Sequence, residues 1–130
     1  MISNLSEFNT TVTRFAENIP AEKVVLMHKK MGLEALRRVV MKTPVDTGRA
    51  RGNWQVQIGE PALVMQDSFD KTGSDTIQIG AAQLANLKAY EVIYLTNNVP
   101  YIIFLEEGSS KQAPYGMVKM TIDELAEMFK

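Results

Sequence analysis

Cysteine is absent from the sequence, which excludes disulfides, thiolate metal sites and cysteine nucleophiles. Histidine is nearly absent: His28 stands alone, whereas zinc sites built without cysteine ordinarily draw on two or three imidazoles. It would complete a catalytic triad only with partners that the sequence does not single out. An excess of charge of one sign is also lacking. Fourteen Lys and Arg stand against fifteen Asp and Glu, so the basic surplus of a protein that neutralises DNA phosphates is missing overall. The eight glycines are scattered and form neither GxGxxG nor GxxxxGK, leaving nucleotide binding without a phosphate cradle. No stretch approaches the roughly 18 apolar residues of a membrane span, and MISNLSEF has no basic segment followed by an apolar run. Neither membrane embedding nor export by a visible signal is expected.

What remains is an ordinary globular composition, 45% hydrophobic and 22% charged, in a length of 130 residues that suits one domain. Leu5, Phe8, Val12 and Phe15 recur at helical spacing behind a capping pair, Asn4 and Glu7, which predicts a helix over about residues 4 to 17. A second helix is expected from Pro20, placed in its first turn, to about Lys42, with Pro44 as the stop. Its apolar side carries Val24, Met31, Ala35, Leu36 and Val39, and its polar side Lys23, Lys30, Glu34 and Arg37.

Trp54 to Ile58 alternates apolar and polar residues and reads as a strand with Trp54, Val56 and Ile58 inward. Residues 60 to 75, rich in Pro, Asp, Ser and Gly, read as a long mobile excursion. Ile77 and Ile79 alternate like a strand, yet Ala81, Leu84, Ala85 and Lys88 have helical spacing, and a helix over about 80 to 89 is favoured. Glu91 to Thr96 reads as a central strand, whereas Tyr101 to Leu105 fits a strand or one or two helical turns. Thr121 and Glu124 form a capping-box pattern ahead of Ile122, Leu125, Ala126 and Phe129, which predicts a closing helix. The fold class is therefore α+β: a small antiparallel or mixed sheet packed against a long N-terminal helix and further helices.

Charged side chains invite chemical readings. Glu106 and Glu107 are adjacent carboxylates, as are Asp123 and Glu124, but sequence neighbours usually point apart. Arg37, Arg38, Lys42, Arg49 and Arg51 concentrate positive charge at the end of the second helix and in the loop after it. They either face a polyanion or acidic partner, or complement a helix C-terminus and offset acidic residues elsewhere. His28 lies on the apolar side of its helix, where it reads as a packed or interface histidine, or else as a ligand or switch. Eight methionines fall mainly within apolar patterns and read as adaptable packing.

Two motifs go further. ThrProValAspThrGlyArgAlaArgGlyAsnTrp at 43–54 places a proline, then AspThrGly, then a basic residue between the long helix and the first strand. TyrLeuThrAsnAsnValProTyr at 94–101 is followed by LeuGluGluGlySerSerLysGlnAlaProTyrGlyMetVal at 105–118. Together they resemble the head-to-tail neck and tail-completion proteins of tailed bacteriophages, over about residues 20 to 125. Much of this pattern is turn chemistry: Asp46 and Thr47 cap turns, Gly48 accepts a positive φ, Asn97 and Asn98 close the second strand, and Pro100 stiffens the return. AspThrGly also occurs in aspartic proteases, but here it follows a helix, and a single short domain would need a dimer for its second aspartate.

The resemblance implies a structural virion protein, made in the bacterial host cytoplasm, that joins a closed head to a tail or completes the tail, whether from an active phage or a prophage. It implies a homo-oligomeric ring, head-closure, connector and tail proteins as partners, proximity to DNA, and no catalytic residue, cofactor or metal. Its motif and assembly-contact residues here would be Asp46, Thr47, Gly48, Arg49, Arg51, Trp54, Asn97, Asn98, Pro100, Tyr101, Glu106, Gly108, Lys111, Gln112 and Pro114. The excursion and Lys111 to Tyr115 are expected to project as docking loops. Other readings are a tail terminator or minor tail protein, a small hydrolase or nuclease holding a divalent metal through Asp46, Glu106 or Glu107, and a DNA-binding module using the basic cluster.

Overall fold

The computed structural model describes residues 5–7, 9–10 and 20–130. Of the helix expected over residues 4 to 17, residues 5–7 and 9–10 are helical; the rest, with the Asn4 end of its capping pair, lies outside the described residues.

Helix α1, Ala21–Lys42, is the spine. Pro20 sits one position ahead of it in an extended conformation, and its carbonyl accepts from the amides of Lys23 and Val24 at 3.0 and 3.1 Å. Glu22 in the first turn and Lys42 in the last both complement the helix dipole. Thr43 turns extended immediately before Pro44, the conformation that a following proline imposes. On the apolar side, Leu36, Val39 and Val40 are buried and Leu33 packs against them.

A one-turn helix α2, Arg49–Gly52, leads into strand β1, Trp54–Ile58. After an extended excursion come helix α3, Ser74–Leu84, strand β2, Ile93–Asn97, the short helix α4, Ile102–Glu106, and helix α5, Val118–Met128. Among the described residues the sheet is antiparallel and two-stranded, pairing Trp54 with Asn97, Val56 with Leu95 and Ile58 with Ile93 on one face. That face meets α1 and α3 around a core of Leu36, Val39, Val40, Trp54, Val56, Leu84, Ala113 and Met117. Gly80 lets α3 close onto this core, since a methyl there would collide with the Leu36 side chain and come within 3.1 Å of Val56. The α+β architecture with a long N-terminal helix is as expected from the sequence.

Several local readings are corrected. The third helix spans 74–84 rather than 80–89, because its start is fixed by a side chain within the supposed loop. β2 begins at Ile93, two residues later than read, and is not central, having a single neighbour among the described residues. The undecided segment after Tyr101 is helical. Thr121 is buried inside α5 rather than capping it, and Glu124 points to α1 instead of back along its own helix. No helix among the described residues is long and apolar enough to cross a membrane.

Candidate functional site

The first motif is a reversal of the chain held by its own polar groups. The Thr43 hydroxyl donates to the Val39 carbonyl and accepts from Trp54 Nε1 at 2.7 Å, which seats the indole beside the end of α1. Gly48, at φ 90°, starts α2; its carbonyl accepts from the Gly52 amide at 2.8 Å and the Asp70 amide at 3.0 Å. The Arg51 guanidinium turns inward and donates to the carbonyls of Met41, Thr43 and Lys71 at 3.2, 2.9 and 2.9 Å, joining the helix end to the excursion. Burial pulls its pKa down, opposed by the nearby Asp70 charge. Asn53 is fully buried: its amide donates to Arg49 O at 2.8 Å, and its oxygen accepts from the Gln66 amide at 2.7 Å. At the end of β2, Asn97 donates to Ala50 O at 2.8 Å, and Asn98, just beyond it, to Ala62 O at 2.9 Å.

These bonds tie residues 60 to 75 to the fold at several points. Asp70 is only 8% exposed, and its carboxylate accepts from the amides of Gly73 and Thr76 at 3.0 and 2.9 Å and from the hydroxyls of Thr76 and Thr72 at 2.7 and 3.3 Å. It thereby satisfies free donors at the start of α3. Burial would raise the Asp70 pKa, but the donors from Thr76, Gly73 and Thr72 together bring it below the ordinary carboxylate value. Deleting residues 66–74 would thus remove a structural cap, not a dispensable appendage.

The second motif closes in the same manner. Glu106 Oε1 accepts from the amides of Met117 and Val118 at 2.9 and 2.7 Å, and Oε2 from Lys119 at 3.0 Å, so the start of α5 is capped from a distance. Desolvation works against the charge, yet these three amides and the Lys119 charge hold the Glu106 pKa below normal. Gly108, at φ 90°, lies against the Pro114 carbonyl with no room for a side chain. The expectation that Lys111 to Tyr115 project from a loop is corrected in part: Ala113 belongs to the core, and the Gln112 side chain donates to Val45 O at 3.1 Å while accepting from Val45 N at 2.9 Å. Lys111, Pro114 and Tyr115 are exposed.

The two motifs meet. Pro44 to Ala50 form one wall and Tyr101, Leu105, Ser110 and Gln112 the other of a cleft of about 220 Å³. Of the residues expected to matter, Asp46, Thr47, Gly48, Arg49, Tyr101 and Gln112 line it. Thr47 Oγ1 accepts from the Arg49 amide at 3.3 Å, whereas Asp46 and Tyr101 are exposed at the rim. Arg51, Trp54, Asn97 and Asn98 face inward to the scaffold, and Pro100 is exposed after β2. The roles of Asp70 and Asn53 are not evident from the sequence, where both read as turn formers; the spacing of Asp70 to Gly73 and Thr76 is the signal that points to the cap.

The basic cluster is paired. Lys42 Nζ and Arg38 Nη1 both reach Glu124 Oε1, at 2.6 and 2.9 Å, and Arg38 also bonds Glu34 at 3.2 Å. The bond from Lys42, followed by that from Arg38, lowers the Glu124 pKa. Arg37 lies 3.9 Å from Glu34, and Arg49 stacks 4.8 Å from the Phe69 ring centre with Asp67 3.9 Å away. This arrangement offsets acidic groups and ties α5 to α1, leaving no free basic stripe along these five side chains. His28 is half-buried, and burial lowers its pKa. Among the described residues no three His, Asp or Glu side chains group to hold a metal ion. Set against protein-family models, curated proteins and solved structures, the chain matches none.

Proposed function

We propose that the chain is a structural subunit of a tailed-phage particle, of the neck or tail-completion kind, acting by association at the head–tail interface or tail end. The observation that carries this reading is the meeting of the two motifs, some fifty residues apart, around one cleft where Gln112 of the second bonds both backbone groups of Val45 in the first. Glu106, one of the three carboxylates weighed for a metal-dependent reaction, is engaged by three amides, which favours docking over catalysis. Near the cleft in sequence, Ile103, Phe104 and Tyr115 are more than half exposed, the apolar and aromatic surface that a partner would cover. A ring of such subunits needs one patch to meet a different patch on its neighbour, so the cleft rim serves as one half of a head-to-tail contact or as the seat of a connector protein.

Tyr101→Ala combined with Lys111→Glu changes an exposed residue that lines the cleft and an exposed neighbour of its wall residues Ser110 and Gln112, so folding should be unaffected. Supplied in place of the natural chain, this variant should lower the yield of joined infectious particles about tenfold to a hundredfold, the size of a lost interface hot spot. Separated heads and tails should accumulate in electron micrographs. A normal yield of joined particles would remove the reading.

A further inference from the structure

Among the described residues β1 has one neighbour, and its other edge is open. The Gly59 amide bonds the Val92 carbonyl at 2.9 Å in the same register, which fixes the alternation along the ladder. Gln55 and Gln57 therefore pair toward β2, while the amides and carbonyls of Trp54, Val56 and Ile58 point away from it. No hydrogen bond to another part of the chain occupies those outward groups among the described residues. Along this edge runs a groove of about 670 Å³, floored by β1 and walled by α3 and Gln66; no residue of β2 lines it.

We propose that this edge pairs with the same edge of a second copy, β1 against β1 antiparallel about a two-fold axis at Val56, extending the sheet to four strands. The register is self-complementary: Val56 faces Val56, and Trp54 faces Ile58, so every outward group finds a partner in about six backbone hydrogen bonds. The lining suits a copy of itself. Gln55, Gln57, Gln66 and Gln83 are amides that each carry donor and acceptor, and Lys88 and Glu91 cancel in charge, so two identical grooves meet without repulsion. Ile79, 65% exposed on the α3 wall, gains cover in the pair. β1 also has none of the charges, prolines or bulges that guard an open edge against pairing. The pairing uses neither the motif cleft nor its rim and stands independently of the virion reading.

Within such a pair Gln55 of one copy lies opposite Gln57 of the other. Gln55→Lys with Gln57→Lys sets like charges face to face across the seam, whereas Gln55→Lys with Gln57→Glu sets opposite charges there. Both variants lose the bond from Gln55 to the Val64 carbonyl, so they share any cost to the fold. Native mass measurement across a concentration series should give twice the 14.5 kDa chain for the natural protein. The double-lysine variant should fall to a single chain, and the lysine–glutamate variant should return to the doubled mass, with matching circular dichroism throughout. A natural protein that stays single, or equal behaviour of the two variants, would each overturn the proposal.

Discussion

Gly48→Ala should destabilise the chain by about 3–5 kcal/mol, the sum of a left-handed backbone penalty and an overlap that the surroundings cannot relieve. A methyl group there would lie 2.7 Å from the Lys71 amide nitrogen and 2.8 Å from the backbone of Asp70. Those neighbours are main chain, pinned by the bond from the Asp70 amide to the Gly48 carbonyl and by the Asp70 cap on α3. Gly59 supplies the control, having the same φ of 90° but nothing within 4 Å of its would-be side chain. Gly59→Ala should cost only about 1–2 kcal/mol, the backbone part alone. Urea unfolding of the two variants separates conformational cost from collision, and equal losses would show that the 48–71 contact is loose.

Asp70→Ala should cost about 2–4 kcal/mol, because it strands the buried amides of Gly73 and Thr76 and the Thr76 hydroxyl at once. Asp70→Asn, which keeps one acceptor oxygen, should lose less. The pH dependence has a definite sign. The folded pKa of Asp70 lies below its unfolded value, so its contribution is complete above the ordinary aspartate pKa of about 4 and disappears as pH falls through the folded value. Glu106 and Glu124, also lowered, add losses in the same acidic range. Thermal unfolding between neutral and acid pH should therefore fall less steeply in Asp70→Ala than in the natural protein; parallel curves would mean that the cap does not titrate with folding.

What could be read in the sequence and what could not divide along the range of the interactions. The end of α1 at Lys42 and the whole of β1 were legible because Pro44 and the Trp54–Ile58 alternation act within a few residues. The start of α3 was misplaced because Ile77 and Ile79 resemble a strand, and the group that begins the helix, Asp70, lies in a stretch that looks like loop. For α5 a local capping pattern at Thr121 and Glu124 misled, since the cap comes from Glu106 and Glu124 serves the far end of α1. At the site, the turn-forming role of the first motif was legible in Asp46, Thr47 and Gly48. That Gln112 would bridge to Val45, or Asn97 to α2, depends on contacts 67 and 47 residues apart, for which one sequence carries no local signal.

The most direct measurement is gold labelling of this chain in purified tailed particles. Label confined to the junction of head and tail, or to the tail end beside it, is the expected result, and its position along that axis separates a neck protein from a tail terminator or minor tail protein. Intact, infectious particles that contain none of the chain would contradict it.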